Sequence, residues 1–456
     1  MPDSADKLIP QAYVLAALEK CFNTYIAPTA PVCVAFSGGI DSSVLLHALS
    51  QAAGKRPVRA IHIDHGLQAE AATWALTCRK ICRDLQIPLT VVAAQVDLTT
   101  GSGLEAAARA ARYGALGEQL ERGEVLLTAH HQRDQLETLL LRLLRGSGVH
   151  GLAAIPAHSQ RDEMELLRPL LAVPADIVRA YAIAEQLDWI EDPSNAELAM
   201  DRNFLRHNVV PGILGRWPAA EGTLGRAARL CAEAAEIMDE MAAQDLAGIC
   251  EGDCLALMAL QRLSDARQRN AIRYALRLRA LAIPSEKQLR LALATLVDAP
   301  GDTQPEAAWP GVRIRRYRQH LWLFAENADP LTAVAPADFY PWLPGTILDM
   351  GGVRGTLRSE TVSGGGIATE FCAEPLEVRF RRGGERLRIN RKGRTRELKK
   401  LLQEKGVVPW MRGHIPLLYS GDKLLAVGDL WINADYAALG EAAALVLRWD
   451  GHAPIR

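Results

Sequence analysis

Seven residues near the amino terminus, Ser37-Gly38-Gly39-Ile40-Asp41-Ser42-Ser43, have the types and order to hold an anion. Adjacent glycines let successive backbone N–H groups turn to one side, and a helix starting behind them adds its positive end. The serine hydroxyls suit phosphate oxygens, and the Asp41 carboxylate suits a magnesium ion. The same string also fits a plain strand-to-helix turn capped by Asp or Ser. An apolar run before it (Val32–Phe36) and a helical pattern after it (Val44–Leu49) favour the anion-binding loop. No GxxxxGK[ST] lysine follows, so this is not the common P-loop.

Further chemistry lies downstream. Asp134 and Glu137, three apart in a helical pattern, share a face. They suit a magnesium ion and a substrate ammonium group, or else the acid-rich start of an exposed helix. His130 and His131 close an apolar run beside them; His130 suits a nucleotide phosphate, and a zinc site lacks other ligands nearby. Arg109 and Arg112 suit negative charge on a phosphoryl group, or form an ordinary surface pair. Asp64 follows a strand and suits a nucleotide or magnesium, or a turn.

Those residues need a scaffold. Strand patterns at Val32–Phe36, Val58–Ile63, Leu89–Val92 and Val125–Thr128 alternate with helical patterns near 42–52, 69–86, 103–121 and 135–145. That alternation predicts an α/β fold, a doubly wound parallel sheet covered on both faces. Ligands of such sheets sit beyond the carboxyl ends of the strands. "SGGIDSS" ends the first strand, "HIDHG" the second and "TAHHQRDQ" the fourth, so the polar clusters converge on one edge. After Trp217-Pro218 the pattern becomes alanine-rich and helical, broken at Pro284. After Pro300-Gly301 short alternating strands take over. The expected divisions are a catalytic domain at 1–217, a mostly helical domain at 218–330 and a small α+β domain at 331–456.

Composition bounds the class. The chain of 456 residues is 49% hydrophobic and 23% charged, with net charge −1, as for a soluble globular protein of several domains. Its eight cysteines form no CxxC pair and are expected to be reduced, mostly buried thiols of a cytoplasmic protein. The first residues show no signal-peptide pattern, and no run approaches the roughly 18 apolar residues that span a bilayer. One local charge excess stands out: from Leu376 to Pro416 there are thirteen Lys/Arg against four Glu. A solvated charged face is the ordinary meaning of such a run.

"SGGIDSS" after an apolar strand resembles the pyrophosphate loop of the N-type ATP pyrophosphatases, which cleave ATP between its α- and β-phosphates. "HIDHGL" (62–67), "LEAAARAARYGAL" (104–116), "TAHHQRDQLETLLLRLLRGSGVHGL" (128–152), "EDPSN" (191–195), "RNFLRHNVVP" (202–211) and the run at 380–419 follow in order. Together they resemble the tRNA(Ile)-lysidine synthetase family. The resemblance implies ligation of free L-lysine to carbon 2 of the wobble cytidine in a CAU-anticodon isoleucine tRNA, with ATP and Mg2+ required. ATP would activate the base by adenylation, and AMP and pyrophosphate would leave.

It further implies that Ser37 to Ser43, Asp64 and His130 hold ATP, that Asp41, Arg112, Asp134 and Glu137 are catalytic, and that Asp41 and Asp134 hold the metal. Arg202 and Arg206 suit RNA contact, or pair with Glu191 and Asp192; Arg382, Arg386, Lys399 and Lys400 suit the tRNA backbone. A homodimer is compatible with the sequence. One position departs from the family pattern: Arg133 stands where an acid is common, before Asp134. The competing readings are a tRNA thiolase of the same superfamily, which the lack of CxxC disfavours, and a non-catalytic tRNA-binding protein.

Overall fold

The computed structural model describes residues 4–455 except 53, 55, 65–70, 95–103, 162–163, 194–197, 301–302, 332–338 and 374. Parts of the "HIDHGL" and "EDPSN" motifs therefore lie outside the described residues. The chain divides into two compact units, Met1–Ile237 and Met238–Arg456.

The first unit begins with α1 (Ser4–Tyr25), then β1 (Val32–Ala35), α2 (Ile40–Ala52), β2 (Val58–Asp64), α3 (Ala71–Asp84) and β3 (Leu89–Ala93). It continues with α4 (Leu104–Gln119), β4 (Val125–Leu127), α5 (Gln132–Leu144), α6 (Val149–Leu152), β5 (His158–Arg161), β6 (Met164–Leu167) and α7 (Ala175–Ala184). A helical run follows: α8 (Asp201–Phe204), a π turn (Leu205–Val209) and α9 (Val210–Arg216). Last comes α10 (Ala220–Ile249), within which the division between the units falls.

The sheet order is β3-β2-β1-β4-β6-β5. β3, β2, β1, β4 and β6 are parallel, and only the edge strand β5 runs antiparallel. Side chains alternate between faces with the period of two that a strand imposes. Val32 and Val34 of β1, with Val125 and Leu127 of β4, join the core that holds Val14, Leu18, Leu45 and Tyr181. Cys33 and Leu126 point the other way, onto Tyr113 and Leu116 of α4. A strand buried on both faces needs apolar residues at every position, which is why "VCVAF" shows no polar alternation. The four expected strands are present to within a residue at each end, whereas α1 and the β5–β6 hairpin were not anticipated.

In the second unit the stretch expected to be mostly helical also holds a five-stranded sheet. Cys250–Glu251, Cys254–Ala256, His320–Ala325, Val312–Tyr317 and Glu306–Trp309 are neighbours in that order, packed with helices Asp265–Leu278 and Glu286–Val297. The first two strands are too short to show a period in sequence. Farther on, Phe339–Trp342, Leu376–Arg379, Leu417–Ser420, Lys423–Val427 and Trp431–Ile432 form a second five-stranded sheet. Thr356–Ser363 and Ala443–Asp450 pair antiparallel within a four-stranded one. The helix Leu398–Glu404 buries Leu398, Leu401 and Leu402 in the same core. All eight cysteines are free thiols.

Candidate active site

The loop after β1 takes its shape from Gly38, whose φ of +81° is costly for any residue with a Cβ. A Cβ there would also stand 2.5 Å from Ile190 Cδ1 and 2.8 Å from Cys78 Sγ. The loop is tied from behind. The Ile190 N–H donates to the Gly38 carbonyl at 2.9 Å, and His62 Nδ1 lies 2.9 Å from the Phe36 carbonyl. Sequence reasoning gave no role to His62 or Ile190. Within the loop, Ser42 Oγ donates to the Gly39 carbonyl (2.9 Å) and Ser43 Oγ to that of Gly38 (3.4 Å). Both serines are buried, so their hydroxyls stiffen the loop, while Ser37 is exposed. The Ser37 hydroxyl accepts from the Gly39 N–H at 3.3 Å and lies 3.1 Å from Ser42 Oγ, and the N–H groups that open α2 lack helical acceptors.

Asp41 stands in that first turn with its side chain 41% exposed. Its Oδ1 lies 3.5 Å from Nε2 of His131. His131 is the N-cap of α5 in a reciprocal capping box: its ring accepts from the Arg133 N–H, and Asp134 accepts from the His131 N–H at 2.9 Å. Burial pushes the His131 imidazole down, but the Asp41 hydrogen bond and the charges of Asp134 and Asp41 outweigh it, leaving it raised. Burial pushes the Asp134 carboxyl up, and the charges of His131 and Arg202 reverse that, holding it below its ordinary value.

Glu137 lies one turn along α5 with no exposed surface. Its carboxylate accepts from Arg202 Nε (2.9 Å), Arg206 Nε (2.7 Å) and Arg206 Nη2 (3.0 Å). Arg202 also donates from Nη2 to Asp134 Oδ1 at 2.7 Å. Arg202 lies on α8 and Arg206 on the π turn, and both reach the acidic face of α5. The two spacings seen in sequence, 134/137 and 202/206, are thus two faces of one ion network. As placed, Glu137 is saturated by guanidinium groups, and the half-buried arginines present only part of their surface outward.

His130 begins the turn after β4, with Nδ1 2.9 Å from Thr128 Oγ1. Burial, aided by the charges of Arg168, Arg202 and Arg109 against that of Asp134, pushes its pKa down to about 3, so the ring is neutral. Asp64 ends β2, the strand beside β1, on the same edge. Arg112 is on α4, where burial and its neighbour Arg109 lower its pKa against the pull of Tyr113. Arg133 points away from this group: its Nε donates to Glu221 Oε1 of α10 at 2.6 Å, and its Nη2 lies 3.3 Å from Asp176 of α7. In the second unit Arg382, Arg386, Lys399 and Lys400 are all exposed, Lys400 3.7 Å from Glu397.

Asp41, with an open carboxylate beside a phosphate-shaped loop, fits a magnesium ligand, since that ion takes one or two carboxylates and completes its shell with phosphate oxygens and water. Asp134 is engaged by Arg202 and by the capping bond, and joins such a shell only where Arg202 releases Oδ1.

Three family descriptions match the chain. A PP-loop domain matches residues 11–213, a TilS substrate binding domain residues 255–322, and a TilS substrate C-terminal domain residues 376–449. A curated relative from Coxiella burnetii named tRNA(Ile)-lysidine synthase is 40% identical over 426 residues, 92% of this chain and 93% of that protein. One of the same name from Alkalilimnicola ehrlichii is 43% identical over 407 residues, 89% of this chain and 91% of that protein. Among solved structures, the U34-tRNA thiolase NcsA from Methanococcus maripaludis aligns with 49% of this chain and 80% of that chain, at a TM-score of 0.42 and 16% identity.

Proposed function

We infer the activity from one premise: the chain belongs to the tRNA(Ile)-lysidine synthase family. It is an enzyme that forms lysidine on tRNA(Ile). It joins L-lysine to carbon 2 of the wobble cytidine of the CAU-anticodon tRNA and converts ATP to AMP and pyrophosphate. The observation that carries this is identity of about 40% along nearly the whole chain, with the loop and the acid–arginine network in one unit. Nothing in the site favours a thiolase.

The chemistry sets what the residues must do. The oxygen on carbon 2 is a poor leaving group, so ATP first adenylates it. The Ser37–Ser43 loop holds the β- and γ-phosphates as they become the leaving pyrophosphate, through backbone N–H groups aimed where that charge grows. Asp41, joined by Asp134, would hold a magnesium ion, which would neutralise phosphate charge when bound. Asp64 contacts the nucleoside of ATP. His130 donates a hydrogen bond to phosphate; a ring with a pKa of about 3 does not take a proton from the lysine ammonium, whose pKa is ~10.4 in solution. Arg112 holds charge on the adenylated oxygen. Asp134 and Glu137 receive the lysine ammonium by exchange with the guanidinium groups now bound to them, and Arg202 and Arg206, once displaced, face the RNA. The assigned domains are 1–217 for catalysis, 218–330 as a tRNA-contacting spacer and 331–456 for tRNA binding, in a cytoplasmic protein.

The test is incubation with ATP, radiolabelled lysine and a tRNA(Ile) transcript bearing CAU. Label on the RNA with matched AMP release is expected. No label, or label equally on a transcript with another anticodon, would refute the assignment.

A further inference from the structure

Three arginines gather around Tyr113 beside the sheet edge that carries His130, with Arg168 at that edge and Arg161 opposite Met164 at the start of β6. Arg168 follows β6, and the Thr128 N–H donates to the Leu167 carbonyl at 3.0 Å, which sets the ends of β4 and β6 side by side. Arg168 is 6% exposed. Its Nη1 donates to the Pro156 carbonyl (2.7 Å) and to Ser159 Oγ (3.2 Å), while its Nε is buried without a partner. Tyr113, itself buried, gathers two more: the guanidinium carbons of Arg109 and Arg161 lie 5.1 and 5.8 Å from its ring centroid. Arg109 and Arg161 are exposed, whereas Arg168 is buried.

None of these three arginines forms an ion pair among the described residues. The buried Arg315 is met by the carboxylates of Asp329 and Glu306, whereas Arg168, like Arg316 and Arg56, is met by neutral acceptors alone. A buried cation with like charges around it and no counter-ion is costly unless an anion arrives. Burial and the Arg109 charge lower the Arg168 pKa against the pull of Tyr113, as expected of such crowding.

We propose that Arg109, Arg161 and Arg168 around Tyr113 form a subsite for a phosphodiester of the substrate RNA next to the reacting nucleotide. This rests on the tRNA-modifying reading above. ATP is the other source of phosphate, and position disfavours it. The pyrophosphate loop follows β1, and Arg168 stands two strands away on the β6 side, roughly 10 Å at the usual strand spacing. Asp64, assigned to the nucleoside of ATP, lies on the opposite side, at β2. Guanidinium groups are suited to phosphate by their fork of donors.

The test measures tRNA(Ile) binding across a salt series, and KM for ATP and for lysine, in Arg161→Ala and Arg109→Ala, with Arg168→Lys as a conservative probe of the buried position. For each of the exposed variants the expected result is a Kd for tRNA about five- to tenfold weaker, a salt slope shallower by about 0.7–0.9 for each phosphate no longer neutralised, and KM values for ATP and lysine within about twofold. A raised KM for ATP with unchanged tRNA binding would assign the anion to the nucleotide. A raised KM for lysine alone would assign it to an amino-acid carboxylate. No change in any of them would leave the arginines as cover for Tyr113. Each of these three overturns the proposal. Failure of the unsubstituted protein to modify tRNA would instead sink the functional reading, which the binding series does not depend on.

Discussion

At the scale of single residues, Glu137 separates two meanings of an acid in an active site. Its carboxylate is wholly buried and takes three hydrogen bonds from two arginines. Replacing it by Gln keeps the shape but leaves two guanidinium groups without their counter-charge. Removing one partner of such a pair is strongly destabilising when fully buried, and the partial exposure of Arg202 and Arg206 reduces that to about 2 kcal/mol. Glu137→Gln is therefore expected to lower the urea midpoint accordingly, and to slow single-turnover modification far more than it weakens tRNA binding. Equal losses in tRNA affinity and turnover would contradict the placement. The spacing of Asp134 and Glu137, and of Arg202 and Arg206, was legible in the sequence because a helix fixes which neighbours share a face. That the two pairs meet was not legible, since it depends on packing between segments 65 residues apart.

At the scale of elements, the strands that carry the site were legible for a simple reason. Each is a short apolar run followed at once by a polar cluster, and a parallel sheet gathers those clusters on one edge. The helix α1 was missed because its first residues carry Pro10 and little periodicity. The cluster at Tyr113 was missed because its arginines come from α4, β5 and the end of β6, with no shared motif. Arg133 is the instructive departure. An arginine in place of a family acid looks like a damaged site, yet here it ties the start of α5 to Glu221 of α10 and Asp176 of α7. Arg133→Ala should cost about 1 kcal/mol of stability, read as a lower unfolding midpoint, with KM for ATP unchanged. Unchanged stability with lost activity would mean that Arg133 touches a substrate.

For the whole molecule, the net charge of −1 conceals an uneven distribution. The second unit exposes Arg382, Arg386, Lys399 and Lys400 in the basic stretch, while Arg379, Arg388 and Arg396 are paired with Glu377, Asp435 and Glu404. Exposed cations contribute most to binding a polyanion, so these four, Lys400 beside Glu397 among them, are the ones to remove. Replacing all four with Ala should weaken tRNA binding and lower the salt slope by about one unit for each phosphate they neutralise. Unchanged affinity and salt dependence would show that this surface is not the RNA anchor. The basic run was plain in the sequence; which of its charges are neutralised is set by partners as distant as Asp435.

The central claim is that the loop after β1 uses ATP to activate the RNA base before lysine attacks. Exchange of radiolabelled pyrophosphate into ATP tests it most directly. The expected exchange requires tRNA(Ile), proceeds without lysine, and disappears in Asp41→Ala while the protein stays folded. Exchange driven by lysine and ATP without tRNA would place the adenylate on the amino acid and rule out activation of the base.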